Sequence, residues 1–282
     1  MTTAFVLSGG ASLGAAHVGM LQALQEHDVV PDLLVGTSVG AVNAAWAAER
    51  GDASGLEALA DVWRGLRRST IFPMRPITGL LGFLGRGDHL VPDTGLRSLL
   101  EQHLPFERLE QSALPVHVVA TDVLSGEDVL LSSGSAVEAI LASAAIPGIF
   151  PAVRIGGREY VDGGVVNNTP ISHAVALGAD TIWVLSTGYA CALTEPPQGA
   201  LGLAIHALTL TLNHRLAVDV ATYRSDADLR VVPTLCPLKV LPADFSQADQ
   251  LIDRARASTR VWLAAPESRR GSPPALTAHR HD

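Results

Sequence analysis

A chain of 282 residues that is 48% hydrophobic and only 17% charged can bury a large core, which excludes wholesale disorder. Its net charge of −8 excludes a general electrostatic grip on nucleic acid, which needs clustered Lys and Arg, and supplies no pull toward anionic lipid. Two cysteines, Cys191 and Cys236, exclude a disulfide scaffold at this length and read as reduced, structural residues.

Ala, Val, Leu and Gly dominate, a mixture suited to packing helices on a parallel sheet. Residues 4–8 predict a buried strand that stops at Gly9-Gly10. Apolar spacing at Val18, Leu21 and Leu24 predicts a helix over 14–26. Residues 32–35 predict a second buried strand and 39–50 a second helix, so the chain opens with parallel strands joined by right-handed crossovers. A helix over 54–63 leads into an irregular Pro- and Gly-rich stretch, 72–92. Further on, the pattern predicts a helix over 93–103 and a strand over 116–121. A second strand, 127–131, pairs with it through a Ser125-Gly126 turn. A helix over 135–144 and a strand over 158–161 follow, the strand ending at Asp162-Gly163-Gly164. The remainder reads as a helix over 170–177 with Pro170 in its first turn, a strand over 181–185, a long helix over 198–224, a strand over 229–232 and a closing helix over 246–264.

Residues 266–282 lose periodicity and are expected to form a disordered tail. With no repeat or linker before it, 1–265 is expected to be a single three-layer α/β/α domain with a mainly parallel central sheet. The first apolar run is only strand-length and no later run reaches a membrane span, so the chain reads as cytoplasmic.

Chemistry concentrates in three glycine-bearing turns. Gly36-Thr37-Ser38-Val39-Gly40 is a G-x-S-x-G element between a buried strand and a helix. There a sharp turn lifts the serine hydroxyl out of the backbone, and glycines at Gly36 and Gly40 leave room for it. The helix start adds free amides and positive potential, which favour a developing oxyanion. Ser8-Gly9-Gly10-Ala11-Ser12-Leu13-Gly14 fills the first strand-to-helix turn and can aim backbone amides into a shared cavity, as a phosphate site or an oxyanion hole. A dinucleotide fingerprint would need glycine where Ala11 stands, and a phosphate loop would need a Gly-Lys-Ser/Thr that is absent. Asp162-Gly163-Gly164 puts a lone acid at a strand end. Alone it is an ordinary turn; beside a nucleophile its carboxylate can act as a base.

Histidine is the competing base. In a triad-type esterase, His173, His206 or His214 could follow the acid in chain order. That fold, however, places several strands before its nucleophile elbow, and here the elbow follows the second strand. The histidines show no metal-ligand spacing.

Three elements in this order resemble the patatin-like phospholipase family: a Gly-rich first turn, G-x-S-x-G after the next strand, and D-G-G after a mid-chain strand. The stretches Ala142-Ser143-Ala144-Ala145-Ile146-Pro147-Gly148-Ile149-Phe150-Pro151 and Asn167-Asn168-Thr169-Pro170 are similar to that family too. The resemblance implies a Ser-Asp dyad without histidine: Ser38 as nucleophile, Asp162 as its activating partner, and the amides of Gly9, Gly10 and Ala11 as oxyanion hole. It implies no metal and no cofactor, and a fatty-acyl ester, lysolipid or phospholipid as substrate. The family usually has a third Gly followed by Arg or Lys in the first loop. Ala11 and Leu13 stand here instead, so a cation for a phosphate-bearing head group is missing from that loop. Residues 79–85, apolar and glycine-rich, would shape the acyl entrance and touch a lipid surface peripherally. A carboxylate base implies activity that persists below pH 6. The rivals are the triad esterase and a lipid-binding regulator that kept the pocket without an activated serine.

Overall fold

The computed structural model describes residues 1–73, 89–189, 191–193 and 195–265. The expected tail at 266–282 and the segment 79–85 lie outside the described residues.

Two strands that are apolar on both faces sit at the centre. β1 (Thr3–Leu7) and β2 (Leu33–Thr37) pair in parallel, Ala4 opposite Leu33 and Leu7 opposite Gly36. Continuous apolar runs of this kind suit a sheet covered on both sides. Phe5, Leu7 and Leu34 point into one apolar cluster; Ala4, Val6 and Val35 point into the other. The first layer contains α1 (Ala15–Gln25), α2 (Val39–Glu49) and α3 (Ala53–Gly65). It also contains α4 (Arg68–Ile71), α5 (Thr94–His103), α6 (Ala136–Ser143) and the closing helix α9 (Ala248–Leu263). The second layer is α7 (Ile171–Ala176) and α8 (Gly199–Tyr223), which contribute Ile171, Ala174, Leu216 and Val220. Each fully buried leucine, such as Leu7, Leu24 or Leu34, contributes about 1.5–3 kcal/mol. One close approach fixes α9 on α1: a Cβ at Gly19 would lie 2.1 Å from the Ile252 carbonyl oxygen, so any side chain there would push the helices apart.

β3 (Val116–Asp122) runs parallel to β2, β7 (Thr181–Leu185) parallel to β1, and β8 (Asp228–Val231) parallel to β7. β4 (Asp128–Leu131) folds back on β3 through the turn at Gly126, whose φ is +71°. With β5 (Val153–Ile155) and β6 (Arg158–Asp162), neighbouring strands follow the order β5-β6-β3-β2-β1-β7-β8, with β4 also on β3. The three-layer, mainly parallel architecture is the one the patterning predicts.

The difference lies at one end of the sheet. The strand carrying D-G-G, β6 (Arg158–Asp162), runs antiparallel to β3 and belongs to a hairpin with β5 (Val153–Ile155). Ile155 faces Arg158, and both residues between them, Gly156 and Gly157, have positive φ (+57° and +82°). That is the two-residue hairpin turn which only glycine-like residues accept without strain. No described helix is long and apolar enough to cross a membrane.

Candidate active site

The site forms where two strands end beside a third. Residues 118–121 of β3 pair with β4 along one edge, so β2 and β6 share the other. Thr37 lies opposite Val119 and Asp162 opposite Ala120. β2 and β6 run in opposite directions, so their last residues meet tip to tip. Gly163 makes the meeting sterically feasible: a Cβ there would lie 2.2 Å from the Val119 carbonyl oxygen and 3.0 Å from Thr37 Cγ2.

At the tip of β2 the chain turns sharply into α2. Ser38 has φ +56° and ψ −125°, a conformation that costs a non-glycine residue on the order of 1–3 kcal/mol. Its flanking glycines allow the turn to close. A Cβ at Gly36 would lie 2.5 Å from the Gly40 carbonyl oxygen, and one at Gly40 2.2 Å from that of Leu7. Ser38 occupies the N-cap position of α2, yet its side chain caps nothing. Instead Ser38 Oγ donates to Asp162 Oδ2 at 2.7 Å. The other carboxylate oxygen, Oδ1, accepts from the Gly164 N–H at 2.7 Å.

Burial raises the Asp162 carboxyl from its ordinary 3.8 to about 6, and the hydrogen bonds from Ser38 and Gly164 oppose that rise without cancelling it. This value bears on the expectation of activity persisting below pH 6. A buried carboxylate with this pKa protonates in the same range as histidine, so an acid limb near pH 6 does not distinguish the two bases.

A serine outside the three glycine-bearing turns holds the elbow. Ser143, at the end of α6, accepts the Ser38 N–H through Oγ at 2.7 Å and donates that hydroxyl to the Val119 carbonyl at 2.6 Å. It bridges the gap where β2 leaves the edge of β3. The Ser38 amide is therefore committed and is not a donor to substrate.

The first loop lies against the elbow. The Gly9 amide, expected among the oxyanion donors, instead donates to the Asn168 carbonyl at 3.1 Å. Gly9 matters here through its missing side chain: a Cβ would lie 2.3 Å from Asn168 Oδ1 and 3.2 Å from Ser38 Cβ. Among the described residues the amides of Gly10 and Ala11 make no hydrogen bond. Thr187 and the segment before Phe245 hold the loop from outside. Thr187 Oγ1 donates to the Gly9 carbonyl at 2.8 Å, and Ser12 donates its N–H to the Pro242 carbonyl at 3.0 Å and its hydroxyl to that of Leu241 at 3.2 Å. Neither Thr187 nor Asn168 is marked by a sequence pattern that names its partner.

No histidine among the described residues hydrogen-bonds to Ser38 or Asp162. His173 Nε2 lies 2.8 Å from Asp128 Oδ2 instead, while His206 and His214 sit on α8. His103 borders a cavity at Ser38 without bonding to it. His17 is fully buried, and burial drives it down to about 4, so it packs as a neutral ring. The described residues contain no cluster of three or more His, Cys, Asp or Glu able to hold a metal ion.

Two cavities meet at Ser38. One, of about 90 Å³, is bounded by apolar side chains including Val42, Trp46, Trp63, Leu100 and Phe150. The other, of about 580 Å³, reaches both Ser38 and Asp162 and carries polar groups from Asn168, Thr169, Ser186 and Asn213, with Arg68 on its wall.

A family model described as Patatin-like phospholipase matches residues 5–175, more than half of the chain. An uncharacterized NTE family protein of Mycobacterium tuberculosis is 30% identical, over 92% of this chain and 46% of its own length. Human patatin-like phospholipase domain-containing protein 6 is 29% identical over 66% of this chain and 13% of its own. The chain thus spans less than half the length of these relatives. The solved structure of VipD from Legionella pneumophila aligns over 89% of this chain and 66% of that one, at 16% identity and a TM-score of 0.42.

Proposed function

The chain belongs to the patatin-like phospholipase family, and from that premise we propose that it hydrolyses acyl esters of lipids with Ser38 as nucleophile and Asp162 as the sole side-chain base. The observation that carries this reading is the 2.7 Å bond from Ser38 Oγ to Asp162 Oδ2, with no imidazole bonded to either residue among the described residues.

In the first half-reaction Ser38 Oγ attacks the ester carbonyl carbon while its proton passes to Asp162. Negative charge gathers on the former carbonyl oxygen, and the uncommitted amides of Gly10 and Ala11 stabilise it, helped by the N-terminal end of α2. Collapse of the tetrahedral intermediate breaks the bond to the alcohol oxygen. Protonated Asp162 gives that oxygen its proton, leaving an acyl-enzyme. Water then attacks the acyl carbonyl with Asp162 again as base, and the fatty acid leaves. A carboxyl raised to about 6 suits both duties, since it is ionised at neutral pH yet basic enough to hold a proton in transit.

The two cavities suggest how substrate lies. An apolar arm suits the acyl chain, and the wider, partly polar arm suits the alcohol moiety. Arg68 stands on that wall and offers the cation that Leu13 does not, so an anionic head group remains a candidate alongside a neutral ester. A panel of p-nitrophenyl esters, lysolipids and diacyl lipids, run on wild type and Ser38→Ala, tests the reading. Turnover of at least one class that vanishes in Ser38→Ala supports it. Equal turnover by both proteins removes it.

A further inference from the structure

The chain's two cysteines have no part in the proposed reaction, yet the fold brings them together. Cys191 follows β7 and Cys236 follows β8, parallel neighbours whose connecting loops leave the same end of the sheet as the Gly9–Ser12 turn after β1. Although 45 residues separate them in sequence, the two sulfur atoms lie 3.4 Å apart. The surrounding backbone is already paired, the Ala192 N–H donating to the Leu238 carbonyl at 3.0 Å. Cys236 is exposed, so a small oxidant can reach it.

These two loops are also the ones that hold the first loop. Thr187, four residues before Cys191, carries the Gly9 carbonyl. Leu241 and Pro242, just beyond Cys236, carry the Ser12 hydroxyl and amide. A covalent tie between the cysteines would therefore fasten both supports of the Gly9–Ser12 turn to each other.

We propose that Cys191 and Cys236 form an oxidisable dithiol site that closes to a disulfide under a peroxide and clamps the loops after β7 and β8. One cysteine's thiol gives up its proton and attacks peroxide oxygen: an S–O bond forms, the O–O bond breaks, and the departing hydroxide takes that proton and leaves as water, giving a sulfenic acid. The second thiol attacks that sulfur, the S–S bond forms and a second water leaves. Two thiols and one hydrogen peroxide thus give one disulfide and two waters. A disulfide needs its sulfurs at about 2.0 Å, so thiols already in contact need only a small movement.

The test oxidises the full chain with hydrogen peroxide and follows it by intact mass, peptide mapping, thermal unfolding and amide exchange. The expected product is about 2 Da lighter, contains a Cys191–Cys236 linked peptide and reverts with dithiothreitol. Its Tm rises by roughly 5–10 °C, because the link spans a long stretch of the unfolded chain. Amide exchange slows in the peptide covering residues 8–13. Cys236→Ser, at an exposed position, should fold as wild type and show none of these changes, and Cys191→Ser should agree. Separate oxidation of each sulfur to sulfinic acid, or two thiols still open to alkylation after peroxide, would overturn the site. A linked peptide without the Tm and exchange changes would overturn the clamp.

Discussion

Replacing Asp162 by Asn separates what this carboxylate does for the reaction from what its burial costs the fold. The side chain keeps its shape: the amide oxygen can still accept the Gly164 N–H, and the amide nitrogen can point at Ser38 Oγ. The charge is lost. In the folded protein the carboxyl sits about two pKa units above its ordinary 3.8, and each unit corresponds to about 1.4 kcal/mol. A folded pKa above the unfolded one means that the native state holds the proton more tightly. Its contribution is therefore full below about pH 3.8 and is lost as pH rises through about 6. At pH 8 the ionised, buried Asp162 costs the fold about 3 kcal/mol, and Asn removes that cost. Urea unfolding followed by circular dichroism should find Asp162→Asn more stable than wild type by about 2–3 kcal/mol at pH 8, and by about half as much at pH 5. The same protein should lose roughly a thousand- to ten-thousandfold in kcat, comparable with loss of a triad member. A variant less stable than wild type at pH 8 would refute the burial argument. One that keeps more than a few per cent of wild-type kcat would refute the base.

The first loop acts through its backbone, so Gly10→Val, whose Cβ would fall 2.2 Å from Thr187 Oγ1, should cost at least about a hundredfold in kcat. Ser12→Ala, which loses one bond to the Leu241 carbonyl, should cost less than about tenfold; the reverse order in steady-state kinetics would give Ser12 a chemical role. Ser143→Ala leaves the Ser38 amide and the Val119 carbonyl without their shared partner. It should lower kcat about ten- to a hundredfold at nearly constant KM, with a stability loss of about 1–3 kcal/mol; a change confined to KM would contradict a positioning role. His173→Ala should cost less than about tenfold in kcat while destabilising the contact with Asp128, and a thousandfold loss would restore the histidine alternative.

The elbow was readable because steric demand leaves a mark in residue type. With Cβ positions 2.5 Å or less from backbone oxygen at Gly36 and Gly40, no side chain is tolerated there, and strand and helix patterns flank the turn. β1, β2 and β7 were readable for a similar reason, since burial on both faces demands unbroken apolar runs. The orientation of β6 was not. Its antiparallel pairing follows from the hairpin at Gly156-Gly157, a two-glycine signal beside a strand, Val153–Ile155, too short to show a periodic pattern. The contacts of Ser143, Asn168 and Thr187 were hidden because a hydroxyl or carbonyl bond across more than a hundred residues leaves no periodic trace. The commitment of the Gly9 amide to Asn168 and the raised pKa of Asp162 depend on what the fold packs around them, which composition and spacing do not encode.

The central claim is that Ser38 is the activated nucleophile, and covalent labelling with a fluorophosphonate tests it most directly. The protein would be treated at pH 7.5, digested and mapped by mass spectrometry, with Ser38→Ala and Asp162→Asn alongside. A single adduct on Ser38 is expected, absent from Ser38→Ala and slowed at least a hundredfold in Asp162→Asn. An unlabelled wild type, or an adduct on any serine other than Ser38, would contradict it.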